Sequence, residues 1–299
     1  MIRAIGPHQL VRRLGRGGMA EVHLALAHGA SGFERLVAIK RLAPELAGDP
    51  ELERALIREA TLAGTLHHRN LVAVLGLGVH DGGYYVVMEY VDGGDLAQLL
   101  DGAMPEPLAL HLVHELALGL GHLHAATAAS GLPLDIVHRD VGPANVLVST
   151  TGDVKLGDFG IAKSTALADI TVAGTRKGRY VYMAPEQLAG EPVTAAADQF
   201  GLGVTLVEIV TGARPFAGEN PWQLRDAIHA GADLTALAPD LAAIASRALA
   251  VEAAGRFASV DELGRAIALA RRRREPATAV ELGDWVRSRA ARARGLERR

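Results

Sequence analysis

The 299-residue sequence predicts an α+β fold of two unequal lobes, on three observations. Residues 1–88 read mainly as short β-type runs around one helix, separated by Gly-containing turns. From residue 93 the apolar spacing becomes mostly helical, after a short connection at 89–92. Between two apolar helices of this second part, residues 136–160 form short β-like pieces rich in His, Asp and Asn. Polar chemistry held between buried helices marks a site.

In the first lobe the β-type runs are Val22–Ala27, Leu36–Lys40 and Tyr84–Tyr90. The segment Leu14-Gly15-Arg16-Gly17-Gly18-Met19-Ala20-Glu21-Val22 lies between strand-like runs. Its glycines let backbone N–H groups approach phosphate oxygens, although Gly-rich hairpins are also common as plain turns. No dinucleotide-type helix follows it, and the G-K-[ST] ending of a P-loop is missing. A helix starts at Asp49-Pro50, an acceptor cap followed by Pro at the first helical position. Its apolar stripe runs Leu52, Leu56, Ala63 and Leu66, and Glu59 falls on the same stripe. A carboxylate aimed at a core is costly unless a cation meets it. Lys40, ending the strand Val37-Ala38-Ile39-Lys40, is the expected partner, although a lone strand-terminal Lys is ordinarily a solvated edge charge.

In the second lobe, Leu108–Ala125 predicts one long helix and Asp198–Thr211 another, apolar on nearly every face and stopped by Gly212. Residues 271–299 form a basic helical tail, with ten Arg against four acids. This net of +6 leaves −9 for the first 270 residues, since the whole chain carries −3. The tail reads as a solvated amphipathic helix closing the domain; contact with an acidic partner, nucleic acid or anionic lipid is the other option. No nucleic-acid partner is expected.

Composition narrows the class. With 49% hydrophobic and 22% charged residues the chain is an ordinary globular sequence, which excludes disorder. The absence of Cys excludes disulfides, thiolate metal sites and a Cys nucleophile. Met1–Leu14 lacks the apolar run of a signal peptide, and Glu208 interrupts the apolar stretch Phe200–Val210. A cytoplasmic chain with no membrane span is expected.

The chemistry concentrates in His138-Arg139-Asp140-Val141-Gly142-Pro143-Ala144-Asn145, followed by Asp158-Phe159-Gly160. Asp140 can accept the proton of an attacking hydroxyl. Asn145 and Asp158 offer hard oxygen ligands suited to Mg²⁺, which takes few protein ligands and completes its shell with phosphate oxygens.

With these motifs in place, the chain from about residue 8 to 270 resembles the Hanks-type (eukaryotic-like) bacterial serine/threonine protein kinases. The Gly17-Gly18-Met19-Ala20-Glu21-Val22 form of the loop is similar to the bacterial branch. The resemblance implies the two-lobed protein-kinase fold, ATP and Mg²⁺ (or Mn²⁺) as cofactors, and protein substrates. It implies an ATP cleft between the lobes, with Leu14, Gly15, Gly17, Gly18 and Lys40 on the phosphate side. Met88 would be the gatekeeper, Glu89 to Val91 the hinge reading adenine, and Val22, Ala38 and Leu147 the residues enclosing the ring. It further makes Ala184-Pro185-Glu186 the end of the activation segment, pairs Glu186 with Arg256, and gives Asp198 the task of holding the catalytic-loop backbone. His138 and Phe159 would stack in a regulatory column beneath Ala63 and Val74. Arg139 would receive an activation-segment phosphate on Thr171 or Thr175 rather than Ser164 or Thr165, because Arg176, Lys177 and Arg179 lie nearby. Autophosphorylation through a transient homodimer is the implied route.

Two positions depart from the pattern. Gly142 stands where serine/threonine kinases carry Lys, and Arg179 where they carry Thr. Arg179 either supplies the missing charge in the space beside Gly142 or faces solvent and meets substrate. Pro143, and the missing loop Arg of tyrosine kinases, favour Ser and Thr as acceptors. A pseudokinase scaffold and a small-molecule kinase are the competing readings. Retention of Lys40, Glu59, Asp140, Asn145 and Asp158 opposes the first; Glu186, Arg256 and a long phosphorylatable segment oppose the second.

Overall fold

Six antiparallel strands form one sheet in the order β1-β2-β3-β4-β6-β5. They are β1 (Ala4–Ile5), β2 (His8–Arg16), β3 (Ala20–His28), β4 (Glu34–Leu42), β5 (Val74–His80) and β6 (Gly83–Glu89). The computed structural model describes residues 4–158 and 180–296, with side chains described to residue 289. The chain divides into two units. The first holds this sheet and α1 (Pro50–Ala63); the second holds residues 69–71 and the described residues from Val91 onward.

Register decides which residues of the first unit share a face. Val22 lies opposite Lys40, Leu24 opposite Ala38, Ala38 opposite Met88 and Lys40 opposite Val86. Cross-strand partners project from the same side, so these residues form one face. Helix α1 covers part of that face, burying Leu56 and Ala60 against Val86. The reverse face carries a separate core of Ile5, Ala25, Val37, Ile39 and Tyr85. The helix starts as its sequence dictates. The Asp49 carboxylate accepts the N–H groups of Glu51 at 2.9 Å and Leu52 at 3.2 Å, two donors that a helix cannot satisfy internally. It ends at Ala63, so Leu66 lies beyond it, yet is buried.

The second unit is built on α3 (Glu106–His124) and α5 (Ala196–Thr211). Both bury residues all round their circumference, as helices in the middle of a domain do. Gly212, with φ 76°, closes α5 by donating its N–H to the Glu208 carbonyl at 2.7 Å. A small sheet β7-β8-β9 (Gly93–Asp95, Val146–Ser149, Val154–Leu156) holds the segment after the polar loop. The remaining helices are α2 (Leu96–Leu99), α4 (Pro185–Ala189), α6 (Pro221–Ala230), α7 (Pro239–Ala248), α8 (Val260–Arg272) and α9 (Ala279–Leu296).

The basic segment after residue 270 is not a solvated tail throughout. Helix α9 buries Leu282, Trp285 and Val286 in the second unit, beside β7 and β8. Gly152, at φ 88°, makes that docking possible: a Cβ there would lie 1.8 Å from the Ala279 carbonyl oxygen. The arginines find acidic partners that charge counting along the chain cannot reveal. Arg274 bonds both oxygens of Asp240 at 2.8 Å, and Arg289 bonds Asp101 at 2.8 Å while its guanidinium lies 4.4 Å over the Trp285 ring. None of the described helices is long and apolar enough to cross a membrane.

Residues 69–71 belong to the second unit through Asn70, whose amide donates to Glu115 and to the Val154 carbonyl, both at 2.9 Å. Burial pushes the Glu115 carboxyl up. His114, the Asn70 amide and Arg69 outweigh that and hold it at about 2. A folded pKa below the unfolded one means the stabilisation is complete above the ordinary carboxylate range and is lost as pH falls toward 2. Glu115→Gln should therefore flatten the decline of the urea midpoint between pH 4.5 and 2 relative to the parent. Gly152→Ala should cost roughly 2 kcal/mol or more, from positive φ and backbone overlap, read as a lowered urea midpoint.

Candidate active site

The first unit brings two sets of predicted residues together. Strands β2 and β3 form a hairpin whose last register pair is Arg16 and Glu21. Gly17 N–H donates to the Ala20 carbonyl at 2.8 Å, closing the turn that contains Gly18, and Ala43 N–H donates to the Met19 carbonyl at 2.9 Å. Nothing among the described residues requires glycine at 15 or 17. Neither has positive φ, and a Cβ would meet no atom within 4 Å at Gly15 and only the Ala20 carbonyl at 3.8 Å at Gly17. Open space over backbone amides is what an incoming phosphate needs. Leu14 precedes this turn on β2.

Lys40 Nζ donates to Glu59 Oε1 at 2.7 Å, with the two side chains 12% and 16% exposed. The pairing joins β4 to α1 on the face that also carries Val22, Ala38 and Met88. Glu89 turns its carboxylate back on the backbone, accepting Ala73 N–H at 2.7 Å.

The second unit holds the catalytic-loop residues around one carboxylate. Asp198, 1% exposed, accepts the backbone N–H groups of His138 and Arg139 at 2.8 Å each, and His124 Nε2 stands 2.7 Å from the same group. His138 is fully buried, its Nε2 3.0 Å from the Gly157 carbonyl and its Nδ1 accepting Asp140 N–H at 3.3 Å. The Arg139 carbonyl accepts from Gln187 at 3.0 Å. Arg139 and Asp158 adopt φ values of 65° and 54°, which side chains rarely tolerate. Such backbone persists only where its surroundings impose it, and it gathers at functional sites.

Asn145 caps the polar loop. Its Nδ2 donates to the Asp140 carbonyl at 2.7 Å, and its own carbonyl accepts Gly157 N–H at 2.9 Å, next to Asp158. Its Oδ1 is buried and has no hydrogen-bond partner among the described residues. A buried oxygen left over in this way fits a divalent cation. Among the described residues no three His, Asp or Glu side chains gather as a metal site. Leu147 lies half-buried on β8.

Glu186 and Arg256 form a two-pronged pair at 2.7 and 2.8 Å, with the Arg256 side chain wholly buried and also donating to the carbonyls of Ala196, Ala250 and Val251. Gly142 is extended, at φ 179°, so its backbone does not call for glycine. Its neighbour does: a Cβ would lie 3.1–3.4 Å from the Tyr182 ring. The Tyr182 hydroxyl donates to Glu208 at 2.6 Å, and burial together with Glu208 pushes the phenol up, keeping it a donor. The space expected to receive Arg179 is therefore bordered by an aromatic ring. Arg179, Phe159, Ser164, Thr165, Thr171 and Thr175 lie outside the described residues. Sequence reasoning missed Tyr182, Glu208, Gln187 and His124, since only proximity in the fold makes them part of the site.

The protein kinase domain family matches residues 8–248. The chain belongs to that family. Tyrosine-protein kinase MasK of Myxococcus xanthus is 43% identical to this kinase domain over 237 residues, covering 77% of this chain and 37% of MasK. Serine/threonine-protein kinase PrkC of Bacillus subtilis is 37% identical over 220 residues, covering 73% of this chain and 32% of PrkC. The chain thus spans about a third of the length of these curated relatives. The crystal structure of the Mycobacterium tuberculosis PknI kinase domain aligns with a TM-score of 0.66 at 32% identity, covering 89% of this chain and 96% of that one.

Glu186→Ala should destabilise this kinase domain by about 3–5 kcal/mol, because it strands a buried guanidinium without its counter-charge. Gly142→Lys should cost about 1–3 kcal/mol by pressing on the Tyr182 ring. Chemical denaturation checks both.

Proposed function

We propose that the chain is an ATP-dependent protein kinase that transfers the γ-phosphate to serine and threonine of protein substrates. The observation that carries this reading is the buried Oδ1 of Asn145, unmatched among the described residues, on a side chain tied to the Asp140 carbonyl. Lys40, oriented by Glu59, would hold the nucleotide phosphates, and the glycine-rich turn at 17–20 would approach them. Asn145 and Asp158 would hold Mg²⁺, which when bound neutralises phosphate charge. Asp140 would accept the proton as the acceptor hydroxyl bonds to the γ-phosphorus and the bond to the ADP oxygen breaks.

Regulation centres on Arg139, whose backbone is fixed on both sides by Asp198 and Gln187. A phosphate on Thr171 or Thr175 would pair with its guanidinium and order the activation segment, placed there by a transient homodimer. Arg179, a permanent cation, would contact the phosphoryl group or the substrate. On this reading the kinase domain works in the cytoplasm.

A tyrosine acceptor is the second reading. It is favoured by the 43% identity to a protein named a tyrosine kinase and by Gly142 in place of Lys.

Incubation with labelled ATP and Mg²⁺ should label the chain and a generic protein substrate, while Asp140→Asn should lower kcat by about 10²–10⁴-fold. Phosphoamino-acid analysis should return phosphoserine and phosphothreonine. Phosphotyrosine alone would overturn the acceptor assignment, and no labelling at all would overturn the activity. Peptide mapping should find phosphate between Thr171 and Thr175.

A further inference from the structure

Glu21 has no part in the chemistry above, yet it is the most heavily engaged side chain of the glycine-rich hairpin. It is 5% exposed, the only carboxylate that buried among the described residues of the first unit. Its Oε1 lies 3.5 Å from Arg16 and 3.9 Å from Arg13 on β2; its Oε2 lies 3.6 Å from Arg41 on β4 and 3.2 Å from His23 on β3. The register makes these contacts direct, since Glu21 sits opposite Arg16 on one side and opposite Arg41 on the other. Burial pushes its carboxyl up, but His23 and the charges of Arg41 and Arg16 outweigh this and hold it below its ordinary value. A second acid, Glu45, pairs with Arg16 in the exposed part of the group.

Placement gives the cluster its meaning. Glu21 adjoins Val22, and Arg41 adjoins Lys40, while neighbouring residues on a strand point to opposite faces. The face carrying Val22, Ala38 and Lys40 is the one assigned to the nucleotide; the Glu21 cluster ties the same three strands together from behind. Arg16 immediately precedes Gly17, so the tie begins where the glycine-rich turn begins.

We propose that Glu21 is a positioning residue for nucleotide binding, holding the glycine-rich turn over the phosphates by pinning β2 and β4 to β3 from the reverse face. This rests on the ATP reading given above. Removal of its charge leaves three guanidinium groups converging on a neutral amide, and their repulsion spreads the strands that frame the turn.

The test uses the full chain, with initial rates at varied ATP and direct binding of a fluorescent ADP analogue with Mg²⁺. Glu21→Gln should raise the KM for ATP and the Kd for the analogue by about tenfold with kcat within about twofold, the pattern of lost uniform binding. Added salt should shrink the defect by screening the guanidinium repulsion, and Glu21→Asp, which keeps the charge, should recover most of the affinity. A Glu21→Gln chain with parental KM and Kd, or one that loses kcat only in proportion to its folded fraction, overturns the proposal. A parent chain that phosphorylates protein yet gives that result leaves the kinase reading standing. A parent that binds no analogue defeats the kinase reading and this proposal with it.

Discussion

The backbone geometry of the polar loop that starts at His138 depends on the buried carboxylate of Asp198. Helix α5 is apolar around its circumference, so it belongs in the centre of the second unit, and its first turn carries an acid there. A carboxylate removed from water is retained only when hydrogen bonds replace its hydration. The replacements are the N–H groups of His138 and Arg139 and the His124 ring. Two consecutive amides turned toward one point force the intervening backbone out of its ordinary range, and Arg139 accordingly takes φ 65°. Asp140, the next residue, is then presented by a backbone with little freedom to move. Chemistry at one residue is positioned by desolvation of another, 58 residues later in the chain.

The first unit uses charge in a related way, with the sheet separating two clusters. On one face Lys40 and Glu59 satisfy each other and fix α1 to β4. On the other, Glu21 gathers guanidinium groups from β2 and β4 and the His23 ring from β3. Both clusters couple strand geometry to electrostatics strengthened by burial, where ion pairs are less screened than at the surface. The glycine-rich turn between β2 and β3 makes few bonds of its own, so its position is set by the strands that carry it.

The end of the described activation segment is fixed by packing as much as by charge. Tyr182 fills the space beside Gly142 and is held by Glu208, and Glu186 is held by Arg256. A glycine at 142 therefore has a local cause, the aromatic ring, alongside whatever consequence it has for phosphoryl transfer. Helix α9 shows the same dependence on fitting surfaces. Its Arg289 covers the Trp285 ring and reaches Asp101 on a distant segment, a partner that counting charge along the chain does not reveal.

Much of this was legible in the residues themselves. Periodicity marked the strands, α1, α3 and α5, because alternation and helical spacing are local properties of the chain. Asp49-Pro50 announced a helix start, and Glu59 on an apolar stripe demanded a cation, since burial of an unpaired charge is prohibitive. The loop from His138 to Asn145 and Asp158 stood out through residue type and spacing, from which hydroxyl and metal chemistry was expected. What the tertiary structure alone decided were the long-range pairings that no periodicity encodes. These include Tyr182 against Gly142, the three guanidinium groups and the imidazole around Glu21, and α9 seated over Gly152. Each depends on strand register or helix docking, which bring together residues far apart in sequence, and a single residue's shift in register would send the same side chains to the opposite face.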